Sequence, residues 1–407
     1  MKSLKSIAIV WEQLAWGGVD TFLKYLLNSQ NFSHLDVTIF TNDTNKGLDR
    51  LKKSLSNKNV KFVKYKSVFG LEDRGYFLKI LLYAFKPLIF CLSIMKFKKL
   101  FSNKKYDVLM ATCGGYGSFR NEAAAIFAAN RNNIPVRTLW ITHACTHYPP
   151  LMGGFLKLIN HYLSKTLSSV ISTCYATRET IFNKSNLLDR DYLHEVVIYL
   201  GIPHVEKDLT NNFFDKYEKK DGVFNVGMMS RIEEYKGHLD LVSAINLLPI
   251  NYREKLRFFI IGNGEKKYVE KIKNLITNHG LEKNFIFTGY LNTEYNTILP
   301  NLDLSIDLTR SNNGFGFSPA EAVSLSVPVI VTSVGAIPEW LNDKYCSVIR
   351  PASIIDIKNE LVSFIDKNEF WKKRAKDAAI YINREFNAEN MASNLIVHFE
   401  QKLNELP

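Results

Sequence analysis

Two rhythms of hydrophobic and polar positions run along this chain. Short apolar runs end at glycines or polar residues, and between them apolar residues recur every three or four positions. In the first half the runs at 6–11, 35–40, 60–65, 107–111, 136–142, 170–174 and 196–201 predict strands. Phe22, Leu23, Leu26 and Leu27 mark one side of a helix over 21–27. The small apolar stretch 121–129 predicts a helix tight against a sheet, and another helix begins at 178–182. Runs without polar alternation suit strands covered on both faces, as in parallel sheets. The same grammar restarts beyond residue 222, with strands at 223–228, 256–261, 285–288, 301–308 and 327–331. Helices are expected at 238–248 and around Val269, Ile272 and Ile276. After Glu339 come a short strand near Ser347 and two helices. The last, 388–403, sets Met391, Leu395, Phe399 and Leu403 four residues apart with Ile396 beside them, so it must pack on something. Residues 207–222 are polar, lack a sustained apolar period and read as a linker. The expectation is two doubly wound α/β domains, 1–205 and 206–387, facing a central cleft.

Composition narrows this picture. A length of 407 residues suits two cores better than one, and 46% hydrophobic content excludes a disordered chain. The net charge of +12 implies attraction to something anionic: nucleic acid, an anionic membrane or phosphorylated ligands. Nucleic acid ranks last, because the cations are dispersed and no recognition motif is present. Cys91, Cys113, Cys145, Cys174 and Cys346 form an odd set without a Cys-x-x-Cys pair, and the first residues lack the long apolar run of a secretory leader. Both point to a reducing, cytoplasmic setting. The segment 76–101 approaches the length of a membrane span, but Lys79, Lys86 and Pro87 interrupt it. Two readings stay open. One is an interfacial segment whose apolar side chains enter lipid while Lys79, Lys86, Lys96, Lys98 and Lys99 meet anionic headgroups. The other is a pair of core-packing helices.

Candidate chemistry gathers at strand exits, where open α/β sheets bind ligands. The richest stretch is 310–339. Gly314 and Gly316, on either side of Phe315, let the backbone approach a ligand or adopt positive φ. Phe317 leads into Ser318 and Pro319, which fit an N-cap and a first helical position. A helix opening there directs bare N–H groups at an anion. Arg231 and Lys236 flank the exit of the 223–228 strand, where both cations could reach one phosphate group. Gly262-Asn263-Gly264 follows the next strand. In the first half, Gly17-Gly18, Gly114-Gly115 and His143 stand at strand ends. His143, Cys145 and His147 would share one face of an extended stretch, but a structural zinc needs a fourth ligand and no partner motif is visible. A single functional His143 is the preferred reading, and no metal site is expected. Asp189 and Asp191 match an Asp-x-Asp signature by chance, in a charged stretch that follows no buried strand. Together these residues suggest a phosphorylated donor on the second domain and its partner on the first.

In series, these motifs resemble the retaining nucleotide-sugar glycosyltransferases of the GT-B fold, glycosyltransferase family 4 or "group 1" type. Gly17-Gly18 resembles the family's N-terminal glycine pair and His143 its strand-end histidine. Ser230-Arg231 with Lys236-Gly237 resembles its diphosphate site. Gly262-Asn263-Gly264 resembles its Gly-x-Gly turn, and 334–339 its Gly-Gly-x-Pro-Glu turn. The final helix, 388–407, resembles the one that crosses back to the first domain. The family carries two glutamates eight positions apart; here the second is Glu321 and the first position holds Asn313.

The resemblance implies a hexosyltransferase-type, retaining, metal-independent enzyme without a cofactor. Its catalytic groups would be His143, Arg231 and Lys236. Gly17, Gly18, Gly262, Asn313, Gly314, Phe315, Gly316, Phe317, Ser318 and Glu321 would hold the donor, Glu321 gripping the ribose hydroxyls. The partners implied are a nucleotide sugar and a glycan or polyprenyl-diphosphate-linked saccharide. The setting is cell-surface polysaccharide synthesis by a cytoplasmic protein, peripheral on the inner face of the membrane if 76–101 meets lipid. A nucleotide-sugar 2-epimerase of the same fold and a non-catalytic nucleotide-sugar-binding partner subunit are the alternatives.

Overall fold

The computed structural model describes residues 2–12, 17–67, 85–114, 121–145, 153–183, 194–208, 217, 221–291, 293–311 and 314–406. The chain divides into two compact units, Met1–Pro203 with Ala388–Pro407, and His204–Asn387. Among the described residues the first unit holds a seven-stranded sheet: β1 (Ser6–Trp11), β2 (Asp36–Asn42), β3 (Val60–Tyr65), β4 (Val108–Cys113), β5 (Val136–Ile141), β6 (Ser169–Ser172) and β7 (Glu195–Val197). Their spatial order is β3-β2-β1-β4-β5-β6-β7 and every pairing is parallel. The order reverses between β1 and β4, the switch point at which doubly wound sheets bind ligands.

The second unit repeats the plan with β8 (Phe224–Met229), β9 (Leu256–Ile261), β10 (Phe285–Gly289), β11 (Leu304–Asp307), β12 (Val329–Thr332) and β13 (Ser347–Ile349). Their order is β10-β9-β8-β11-β12-β13, again parallel, with the switch between β8 and β11. The strands are built from the apolar runs because both faces are covered. β4 is buried along its whole length, and so is β12.

Several expectations need correction. The 301–308 run contributes only Leu304–Asp307 to the sheet, because Leu299–Asn301 turns as a 3-10 helix first. Three helices, not two, follow β13: Ile354–Asp366, Asn368–Glu385 and Ala388–Asn404. A helix over Gly153–Thr166 joins β5 to β6 where none is expected. The final helix buries Met391, Leu395, Phe399 and Leu403 in the first unit. Glu389 accepts the N–H groups of Gln30 and Asn31 at 2.7 and 3.0 Å, and a His398 ring nitrogen bonds Ser169 Oγ at 2.9 Å. The segment 76–101 resolves in part: Lys86–Phe101 is one helix whose Phe90, Ile94, Phe97 and Phe101 are buried in the core. Residues 76–84, most of the 207–222 stretch, His147, Asp189 and Asp191 lie outside the described residues.

Candidate active site

In the first unit the candidates meet at the switch point. Gly17 follows β1 and caps the helix Gly18–Asn28, accepting the N–H groups of Asp20 and Thr21 at 3.1 Å. Its own N–H is donated to Asp20 Oδ2 at 2.5 Å. A Cβ placed on Gly18 would lie 3.9 Å from His143 Nε2, and one on Gly114 would lie 3.9 Å from His143 Cδ2. The exits of β1, β4 and β5 therefore bring Gly18, Gly114 and His143 around one spot, with no Cβ at either glycine position to crowd the imidazole. Asp20 escaped the sequence reading, although an acidic residue three positions after a helix cap is a recognisable signal. It is fully buried, and burial pushes its carboxyl up to about 7 against the pull of the Gly17 N–H. Among the described residues no group of three or more His, Cys, Asp or Glu is gathered as a metal site requires.

In the second unit the loop after β8 is laced to the loop after β9. Ser230 N donates to Ile261 O at 3.1 Å, Ile232 N to Asn263 O at 2.8 Å, and Ile232 pairs with Gly264. A Cβ on Gly262 would sit 2.0 Å from Ser230 O, and one on Gly264 would sit 2.1 Å from Ile232 O. Only glycine permits that approach.

The lacing presents Arg231 and Lys236. The Arg231 guanidinium is 64% exposed, paired to Glu233 at 2.7 Å and to the Tyr235 hydroxyl at 3.1 Å. Lys236 Nζ donates to Thr309 Oγ1 at 3.1 Å. Thr309 Oγ1 in turn donates to Asp307 Oδ1, which also accepts the Thr309 N–H at 3.0 Å. Thr309 follows β11, so the Lys236–Thr309 bond bridges the switch point. His238 begins the next helix, buried; burial and then the Lys236 charge push its imidazole down to about 4, so it is neutral at pH 7. Arg310 is held by Asp240 through two bonds of 2.7 and 2.5 Å. Thr309 and Asp240 carried no sequence signal, because their value lies in partners about 70 residues away in the chain.

The Gly314–Glu339 stretch differs from expectation at its helix start. The helix is Phe317–Ser324 with Gly316 as its cap at φ 86°, a left-handed conformation that glycine adopts without strain. Ser318 is thus the second helical residue rather than the cap, and Pro319 the third. The Phe315 ring is buried against Trp340, with centroids 5.1 Å apart, and Trp340 Nε1 donates to Phe315 O at 3.0 Å. Phe317 and Phe386 complete that cluster. Ala336 N donates to Gly314 O at 3.1 Å and ties the two glycine turns together. Glu321 is buried in the helix; burial, then the Glu321 charge, pushes the Tyr295 phenol up. Asn313 lies outside the described residues.

Residues 210–380, which contain all of these second-unit groups but Phe386, match the family model described as "Glycosyl transferases group 1". The second unit is thus similar in sequence to the group 1 glycosyltransferases. An uncharacterized glycosyltransferase of Methanocaldococcus jannaschii is 21% identical over 95% of this chain and 94% of its own length. The serotype-specific mannosyltransferase WbdA of Escherichia coli is 24% identical over 46% of this chain, and the match spans 23% of WbdA. The O-antigen biosynthesis glycosyltransferase WclY of Escherichia coli is 27% identical over 48% of this chain and 53% of its own length. The chain thus spans about half or less of the two Escherichia coli proteins. Among solved structures, a glycosyltransferase from Rickettsia africae superposes with a TM-score of 0.77 at 16% identity, over 99% of both chains. Anabaena HepE in complex with UDP superposes at 0.75 and 15% identity, over 98% of this chain and 100% of HepE. These likenesses establish a GT-B fold of two Rossmann-like α/β units.

Proposed function

We propose that this chain is a retaining, metal-independent glycosyltransferase. It moves a sugar from a nucleoside-diphosphate sugar on its second unit to a hydroxyl of a glycan or lipid-linked saccharide on its first. The observation that carries this reading is Lys236, fixed on Thr309 across the second switch point at 3.1 Å, with Arg231 exposed on the same loop. Such cations neutralise charge developing on a leaving diphosphate, usually the largest catalytic term in reactions of this kind. The N–H groups opening the Phe317–Ser324 helix add to that field. Glu321 offers a carboxylate to the ribose hydroxyls, and His143 contacts the sugar or the acceptor.

The acceptor oxygen attacks the anomeric carbon from the face the diphosphate leaves. The C–O bond to phosphate breaks, the new glycosidic bond forms on that face, and a departing phosphate oxygen takes the acceptor's proton. At the sequence position where the family carries the first of its two glutamates, Asn313 offers an amide instead of a carboxylate, which keeps hydrogen-bonding capacity and loses charge. The UDP and UDP-glucose complexes of HepE support a nucleotide-sugar donor. The mannosyltransferase and O-antigen descriptions of WbdA and WclY support a glycan acceptor in cell-surface polysaccharide assembly.

The test is incubation with nucleotide sugars and lipid-linked saccharides in the presence of a chelator, followed by NMR of the product. The expected result is nucleoside diphosphate released one-for-one with a glycoside of the donor's anomeric configuration. An inverted product would overturn retention, and epimerised sugar without transfer would favour a 2-epimerase.

A further inference from the structure

The Lys86–Phe101 helix is apolar on two sides. Its inner side packs with the Asn121–Arg131 helix in the first unit's core. Its outer side carries Phe85, Leu88, Leu92 and Met95, which are 51, 56, 45 and 64% exposed. Steps of three, four and three residues put them in one stripe. Lys99, seven residues after Leu92, continues that stripe, and exposed Lys98 flanks it. The Gly153–Thr166 helix repeats the arrangement: Leu158 and Tyr162 are 52 and 54% exposed, and exposed Lys165 follows one turn on. Both helices pack against the Asn121–Arg131 helix and contribute to one core, so they lie on the same face of the sheet. Each leads into the start of the next parallel strand, so the two run in the same sense, against the strand direction, and flank the Asn121–Arg131 helix that joins β4 to β5. Their apolar ends lie toward the strand exits where Gly18, Gly114 and His143 meet, and their lysines lie toward the opposite edge.

Two stripes of large apolar side chains on one face of the sheet are more than the scattered surface residues a protein tolerates freely. Each grades from apolar side chains into lysine, which complements a bilayer's hydrocarbon bordered by anionic headgroups. The net charge of +12 adds a general attraction to the same surface. We infer that this helix face docks on an anionic membrane, with Leu88, Leu92, Met95, Leu158 and Tyr162 entering the lipid. No helix among the described residues is long and apolar enough to cross a membrane, so the contact is with the surface of one leaflet. The inference deepens the lipid-linked-acceptor reading, yet it rests on residues away from the donor groups, and the two can fail separately.

Flotation of the full chain with vesicles tests it, using phosphatidylcholine alone and equal parts phosphatidylcholine and phosphatidylglycerol. The protein is expected to float with the mixed vesicles and weakly with the neutral ones. A Leu88→Ser, Leu92→Ser, Met95→Ser variant should lose about tenfold or more in partitioning on both. A Lys98→Gln, Lys99→Gln, Lys165→Gln variant should lose about fivefold per charge on the mixed vesicles only. Cys91 is exposed while the other four cysteines are buried, so a polarity-sensitive dye on Cys91 should brighten and shift to the blue on binding. Nucleoside-diphosphate thermal shifts should be unchanged in both variants, which separates lost docking from lost folding. Wild-type protein that ignores mixed vesicles, or a serine variant that binds them as well as wild type, overturns the inference. So does a dimer that the serine substitutions dissolve while vesicles go unbound, which would assign the stripe to a second copy.

Discussion

Lys236 is held at the switch point by the Thr309 hydroxyl, with its ammonium also 5.1 Å from the centre of the Tyr235 ring. Thr309 accepts from its ammonium and donates to Asp307, a relay across β8 and β11 that restrains a flexible side chain. Thr309→Val keeps the shape and removes both bonds, and nucleoside-diphosphate affinity should fall about fivefold to tenfold by calorimetric titration. Lys236→Ala should cost about tenfold to a hundredfold. Asp20 makes a prediction about pH. Its folded carboxyl is raised by burial from 3.8 to about 7, so the folded chain keeps a proton that the unfolded chain releases near pH 4. This group's stabilisation is fully present below pH 4 and lost as pH rises to 7, at up to about 1.4 kcal/mol per pH unit. His238 and His398, both pushed down from 6.5 to about 4 mainly by burial, act with the opposite sign: their contribution is present above pH 6.5 and lost as pH falls toward 4. Asp20→Asn keeps an oxygen for the Gly17 N–H. In urea unfolding, the variant should gain on wild type steadily from pH 4 to 7 and level off above; a difference independent of pH would refute the assignment.

At the scale of elements, the second unit's site depends on two loops touching backbone to backbone. Gly262→Ala would push a methyl group to 2.0 Å from Ser230 O. It should cost about 1–3 kcal/mol or more in urea unfolding and weaken nucleoside-diphosphate binding together with stability. The final helix is similarly bound into the first unit, and Leu395→Ala, at a fully buried position, should cost about 2–5 kcal/mol. The strands were legible in the sequence because a parallel strand covered on both faces is an unbroken apolar run. Their ends were not, since β11 begins only after a 3-10 turn and the Phe317–Ser324 helix starts where Gly316 turns left-handed. The helix Lys86–Phe101 was harder to read. It has exposed large apolar residues opposite its buried side, which erases the one-sided periodicity by which helices are recognised.

For the whole molecule, two doubly wound α/β domains were legible in the alternation of strand and helix patterns, and the order of motifs along the chain resembled that of GT-B glycosyltransferases. The cations and glycines of the candidate site stood out since their residue types announce a role. Thr309, Asp307 and Asp20 did not, because a buried polar group acquires its role from neighbours that only the folded sheet supplies. The central claim is that the second unit grips a nucleoside diphosphate through Arg231 and Lys236. A thermal-shift screen of the full chain against nucleoside diphosphates and nucleotide sugars tests it most directly, because a ligand specific to the folded state raises the melting temperature. The account predicts a rise with at least one nucleoside diphosphate, diminished in folded Arg231→Ala and Lys236→Ala proteins. No rise with any of them, or an equal rise in both variants, would contradict it.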